Sequence, residues 1–342
     1  MKPTALLVIL SLALVLAACG RSGPRPGPAP QTPTAVPPAS TTTTSPPPTP
    51  DSAALVTSTP LETSPSPAAA EPAAPYRLAE TVDAVYAVAL QPDAGPSSWK
   101  LDVYAPTQPG PWPVVVFAHG VGSRKEHYAM LARDIAQQGA VVFNIDWPTR
   151  YPTYAVQDNG RGLREVLESL ACAVCFARAR AAEFGGDPDH LILAGYSLGG
   201  AGAQVALVGD EVDPLWQEFA ALRGGPLPQI DCEVSGVSAH VDGFVGVAGV
   251  YLGYAGKYGS AWLQSQDPQL WGTLFSSLDQ NPDLKIRLIH GEGDGDIPFQ
   301  DAADFAALLQ EAGYDVQLIP FDGGHTVPLE LTAQTILELT SD

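Results

Sequence analysis

The chain has 342 residues, with 37 acidic and 17 basic side chains, and a net charge of −20. Such an acidic chain has no basic surface to displace counterions from phosphates, which argues against nucleic acid as a partner. Sixteen of the 34 prolines lie between Gly20 and Pro75, where the only charged residues are Arg21, Arg25, Asp51, Glu62 and Glu71. That stretch has too little apolar surface to offset the entropy of ordering, so residues 19–75 are expected to be a disordered linker. Residues 76–342 remain, enough for one sizeable core.

The elements follow in chain order. Lys2 precedes an apolar run, residues 5–18, that ends at Cys19. A membrane span needs about 20 residues, so this shorter run is expected to be the core of a signal peptide over residues 1–18. Leu16, Ala17, Ala18 and Cys19 resemble a bacterial lipoprotein lipobox. The resemblance implies cleavage before Cys19, acylation of its sulfur, and an extracytoplasmic, membrane-anchored protein. The alternative is plain secretion with Cys19 incidental. The linker that follows contains Thr41–Thr44 and Pro46–Pro48, and proline-rich chain is semi-rigid, so it reads as a stalk.

The folded part opens with two strands, residues 80–90 and 99–104, expected to form a hairpin. Leu101, Asp102, Val103 and Tyr104 alternate as a half-solvated strand does. Short apolar runs at 114–118, 140–145, 191–194, 244–250, 285–289 and 316–320 have the character of buried parallel strands. Helices are expected over 126–138, 162–184, 301–311 and 329–339. Strand–helix alternation predicts an α/β fold whose mostly parallel sheet, of about eight strands, is covered on both faces.

The strongest chemical signal is Gly195, Tyr196, Ser197, Leu198 and Gly199, between an apolar strand and a small-residue helix start. G-x-S-x-G in that context is a nucleophile elbow, a tight turn that lifts the serine hydroxyl above the sheet edge. Serine needs a base, and His325 lies directly after the last strand. The base needs an orienting carboxylate, and Asp294 lies directly after the strand before, with Asp296 competing in the same loop. All three residues then sit at carboxyl ends of strands, where open α/β sheets bind ligands. The strand at 114–118 runs into His119, Gly120, Val121 and Gly122. Glycines there let backbone N–H groups approach a developing oxyanion, with the Leu198 amide as the second donor. The His119 imidazole is expected to position this loop.

The order Ser197, Asp294, His325 resembles that of the α/β-hydrolase superfamily over residues 76–342. Residues 179–190, which lead into the elbow, are similar to the carboxylesterase and feruloyl-esterase branches. So is the element His290, Gly291, Asp294, Ile297 and Pro298. The resemblance implies the α/β-hydrolase fold, no cofactor, no metal, and hydrolysis of a small-molecule or polymer-borne ester through an acyl-enzyme. Ser197 would be the nucleophile, His325 the base, Asp294 its orienting acid, and Val121 and Leu198 the oxyanion donors. Val121 departs from the run of three glycines that related esterases often carry. A peptidase or amidase of the same fold is the alternative, and a non-catalytic surface binder a more distant one.

Three features compete with function. Ser197 could be a helix N-cap. Asp294, Gly295 and Asp296 could suggest calcium, but the sixth position counted from Asp294 is Phe299, where an EF-hand needs glycine. Cys172 and Cys175 have C-x-x-C spacing but lie mid-helix, unlike a thioredoxin-type site. Export favours a disulfide, and Cys172–Cys232 is the expected pair, leaving Cys175 free. Between residues 209 and 283 the chain exceeds what one strand and two helices need. It carries Trp216, Tyr251, Tyr254, Tyr258, Trp262, Trp271 and Phe275. Part of it is expected to form a lid or acyl-pocket wall, unless these aromatics complete the core.

Overall fold

The structure, a computed structural model, describes residues 74–91, 95–148, 161–209, 229–252, 255–256, 264 and 281–341. The chain divides into two units, residues 1–69 and 70–342, and all described residues lie in the second. The expected signal peptide, Cys19 and nearly all of the linker lie outside the described residues, as do Trp216, Tyr254, Tyr258, Trp262, Trp271 and Phe275 of the expected lid.

The described strands are β1 (Leu78–Gln91), β2 (Gly95–Pro106), β3 (Trp112–Ala118), β4 (Val141–Ile145), β5 (Gly186–Tyr196), β6 (Gln229–Cys232), β7 (Gly243–Val247), β8 (Lys285–Gly291) and β9 (Asp315–Phe321). They form one nine-stranded sheet in the order β6-β1-β2-β4-β3-β5-β7-β8-β9. From β4 to β9 every pairing is parallel, whereas β6, β1 and β2 join antiparallel. The expected hairpin is therefore present. Strand β6 is an addition to the expected set: its four residues, Gln229–Cys232, alternate polar and apolar but are too few to stand out beside the long apolar runs.

Among the described residues the α-helices are α1 (Ala129–Gln137), α2 (Arg161–Arg180), α3 (Gly202–Val208), α4 (Phe299–Glu311) and α5 (Leu329–Leu339). Two expected helices change pitch at an end. Lys125–Tyr128 is a 3₁₀ turn leading into α1, and Ala181–Phe184 is a 3₁₀ turn after α2.

Helices cover both faces because β3 is apolar on both. Val114 and Val116 point to one side with Leu167, Leu170 and Val174 of α2 and Phe305 and Leu309 of α4. Val115 and Phe117 point to the other with Leu131 and Ile135 of α1 and Ile336 and Leu339 of α5. The period of two along a strand makes the split. Fully burying one such phenylalanine or leucine contributes roughly 1.5–3 kcal/mol. Tyr251 belongs to this core, stacked on Phe305 with ring centres 4.3 Å apart. That one aromatic of the 209–283 stretch is a core residue and no part of a lid.

Cys172 of α2 and Cys232 of β6 form a disulfide across a sequence separation of 60 residues, and Cys175 stays outside the bridge, its thiol donating to the Val237 carbonyl oxygen. The bridge fastens the short edge strand to the helix covering it. Closing a loop of that length stabilises a fold by about 4 kcal/mol in the chain-entropy account. Chemical denaturation of Cys232→Ala is therefore expected to show a loss of about 2–4 kcal/mol relative to the oxidised wild type. A loss under about 0.5 kcal/mol would mean that the bridge constrains little.

Candidate active site

The elbow is built by close approach. Ser197 has φ +52, a left-handed conformation uncommon for a residue with a side chain. The turn closes because Gly195 and Gly199 lack side chains. A Cβ at Gly195 would lie 2.0 Å from the Gly199 carbonyl oxygen, and one at Gly199 would lie 2.4 Å from that of Ala118. Strain of this kind costs of order 1–3 kcal/mol and persists only where the surroundings enforce it. Here the Val250 amide donates to the Ser197 carbonyl at 2.8 Å, and Ser197 opens a 3₁₀ turn, Ser197–Ala201, that leads into α3. Tyr196, not Ser197, holds the N-cap position, so the capping role does not account for this serine.

Strand register gathers the other groups. Ala118 is level with Gly195, which puts the His119–Gly122 loop beside the elbow. Gly291 is level with Phe321, so the loops after β8 and β9 leave the same edge together. They are stitched by Glu292 N–H to the Phe321 carbonyl at 3.0 Å and Gly293 N–H to the Gly323 carbonyl at 2.8 Å.

The result is a continuous chain of hydrogen-bonding contacts. Ser197 Oγ lies 3.0 Å from His325 Nε2, and His325 Nδ1 lies 2.8 Å from Asp294 Oδ2. Ser197 and Asp294 are buried, while the His325 side chain keeps 20% of its surface exposed, enough for a small molecule to reach it. Of the two competing carboxylates, Asp294 makes the contact. Asp296 is exposed and contributes its backbone N–H, which donates to Asp294 Oδ1 at 2.9 Å, as does that of Ile297. Burial acts to raise the Asp294 carboxyl, but the Ile297 amide, His325 and the Asp296 amide outweigh it and hold it below the ordinary carboxylate value.

The expected oxyanion residues lie at the same rim. Gly120 packs closely on Ser197, since a Cβ there would sit 2.9 Å from Ser197 Cβ. Val121 is 40% exposed and Gly122 has φ +70. Leu198 is buried in the first turn of its helix, where backbone N–H groups have no partner within the helix. His119 is buried behind the loop, its Nδ1 2.9 Å from the Gly120 carbonyl oxygen and its Nε2 3.3 Å from Asp146 Oδ1.

Three residues tied to this site have no role in it assigned from the sequence, although Tyr196 stands inside the elbow motif and His290 inside the His290–Pro298 element. The Tyr196 hydroxyl donates to the His325 carbonyl at 2.9 Å and its ring lies 5.4 Å from the imidazole. His290 is fully buried; its Nε2 lies 2.9 Å from the Ile297 carbonyl oxygen and 3.3 Å from Asp294 Oδ2. Asp146 follows the wholly buried strand β4. A charge directly after an apolar run was the available signal for Asp146, and the His290-Gly291 pair for His290. Among the described residues, Asp294, Asp296 and His325 are also the one group of three whose ligand atoms lie within 4.8 Å of one another. A cation there would compete with the serine–histidine–aspartate contacts.

The chain is similar in sequence to several named proteins and in fold to several solved structures. A protein named "Probable isoprenylcysteine alpha-carbonyl methylesterase ICME" from Oryza sativa subsp. japonica is 27% identical over 245 residues, covering 66% of this chain and 54% of that protein. Esterase LipC of Mycobacterium tuberculosis is 34% identical over 152 residues, 43% of this chain and 31% of LipC. The chain spans about half the length of the plant methylesterases it matches. Among solved structures, a truncated carbohydrate esterase from gut microbiota superposes with a TM-score of 0.51 at 17% identity, over 79% of this chain and 99% of that one. The propionate-bound esterase Est2 of Thermogutta terrifontis does so with a TM-score of 0.50 at 18% identity, over 75% of this chain and 94% of Est2. Residues 115–336, well over half the chain, match the alpha/beta hydrolase family, and the chain belongs to that family.

Proposed function

We propose that the protein is a serine carboxylic-ester hydrolase working through an acyl-enzyme outside the cytoplasm. The observation that carries this reading is the Ser197–His325–Asp294 chain, with contacts of 3.0 and 2.8 Å. Ser197 Oγ attacks the ester carbonyl as its proton passes to His325 Nε2, and the carbonyl π pair moves onto oxygen. The Val121 and Leu198 amides face that oxyanion. When the tetrahedral centre collapses, the C–O bond to the alcohol breaks and His325 returns the proton to the leaving oxygen. Water, deprotonated by His325, then releases the acid and restores Ser197. Asp294 holds the Nδ1–H tautomer and stabilises the imidazolium.

Ester substrates fit the named activities of the curated relatives, which are esterases and methylesterases. Membrane anchoring through Cys19 rests on the lipobox-like Leu16–Cys19 and the apolar run before it. A fluorophosphonate probe is expected to label the purified protein on Ser197, located by peptide mapping. p-Nitrophenyl esters of graded acyl length are expected to turn over faster than matched peptide amides. A folded protein that takes no label would overturn the reading. Preferential amide cleavage would move it to the peptidases.

A further inference from the structure

Lys125 is a buried lysine that the proposed reaction does not use. Only 4% of its side chain is exposed, and its Nζ lies 2.8 Å from Asp102 Oδ1, 3.1 Å from Asp83 Oδ1 and 3.1 Å from Glu126 Oε1. Asp83 and Asp102 belong to β1 and β2, the antiparallel edge of the sheet. Asp83 has φ +57 in the register shift between Thr81 and Ala84, and its N–H donates to Asp102 Oδ1 at 2.9 Å. A bulge of this kind re-aims a side chain that a regular strand would point elsewhere.

The same residue ends the loop that begins at His119. Both ends of that loop are held by the chain leaving β4. The Lys125 N–H donates to Asp146 Oδ1 at 2.8 Å, and its carbonyl accepts from Asn144 Nδ2 at 2.7 Å. At the other end, His119 Nε2 lies 3.3 Å from the same Asp146 oxygen, and Trp147 Nε1 donates to the His119 carbonyl at 3.0 Å. Between these ends lie Gly120, packed on Ser197, and the exposed Val121. The loop is thus a short arch with both feet on residues 144–147, at and just beyond the end of β4, and the far foot is pinned by an ammonium among three carboxylates. An arch so fixed cannot slide along the rim without pulling a buried charge away from its partners.

We propose that Lys125 is a positioning residue that fixes the Gly120–Val121 backbone at the oxyanion site. This rests on the serine-hydrolase reading above. Its force should appear in the transition state, because a donor displaced by about 1 Å loses far more on a developing oxyanion than on a ground-state carbonyl. Removing the ammonium alone would strand buried Asp102, so the variant of choice is Lys125→Met combined with Asp102→Asn. It removes one charge of each sign and keeps an oxygen for the Asp83 N–H.

The test compares kcat and KM on p-nitrophenyl acetate with inhibition by an alkyl trifluoromethyl ketone. Ser197 Oγ adds to that ketone, its proton moves to His325, and the hemiketal oxyanion sits where the amides point. The double variant is expected to lose about tenfold or more in kcat and a similar factor in ketone affinity, with KM moving less than about threefold. A folded variant with kcat and ketone affinity within about twofold of wild type would overturn the proposal. If the double variant does not fold, Asp83→Asn gives the same test on an exposed partner. A drop of about two- to fivefold in kcat and ketone affinity is expected there, and no change in either overturns the proposal. Ser197→Ala assayed alongside keeps the two failures apart, because turnover surviving in it strikes at the serine reading itself.

Discussion

Replacing Ser197 by alanine is expected to lower kcat for p-nitrophenyl acetate by a factor of about 10⁵ or more, without unfolding the protein. The reaction needs an oxygen nucleophile 3.0 Å from His325 Nε2, and alanine supplies none. The fold should tolerate the change because, among the described residues, the Ser197 hydroxyl bonds to His325 alone, and the turn is held through the Ser197 carbonyl by the Val250 amide. Thermal unfolding monitored by circular dichroism should move by no more than a few degrees, since φ +52 is no easier for alanine than for serine. Turnover within about tenfold of wild type would refute Ser197 as the nucleophile.

Asp294→Asn is expected to cost about 10⁴ in kcat, although the two side chains have almost the same shape. Asp294 is surrounded by donors. Its Oδ1 accepts from the Asp296 and Ile297 amides, and its Oδ2 faces His325 Nδ1 at 2.8 Å and His290 Nε2 at 3.3 Å. His290 Nε2 carries a proton in this arrangement, because it faces the Ile297 carbonyl oxygen at 2.9 Å. An amide NH₂ placed toward His325 would donate to Nδ1 and leave the proton on Nε2, where it blocks acceptance from Ser197. Turned the other way, the NH₂ would meet two backbone N–H groups. Steady-state kinetics on the purified variant decide the matter. A kcat within about tenfold of wild type would show that another carboxylate orients the base.

Legibility followed the range of the physical cause. The inner strands were readable because burial on both faces demands unbroken apolar runs, as in Val114–Ala118, now the buried end of β3. Helix α5 matched its expected bounds, Leu329–Leu339, because its period and ends are local signals. Strand β6 was not legible as a strand, since four alternating residues are a weak local signal and the pairing with β1 comes from a distant part of the chain, although the bridge from its Cys232 to Cys172 was expected. Lys125 carried no signal either. What makes it unusual is the company of Asp83 and Asp102, and that pairing comes from a bulge and an antiparallel register.

Near-neighbour patterns determined the order of elements, the elbow around Ser197 and the candidate partners downstream, because apolar periodicity and turn chemistry act within a few residues. Tertiary structure decided which of them meet. His325 reaches Ser197 across 128 positions and Asp294 across 31, and the choice of Asp294 over Asp296 and the arch held by Lys125 depend on the same long-range register. Those contacts form only when parallel strands align their carboxyl ends at one edge, and that alignment is settled by the packing of two helical layers over the whole sheet.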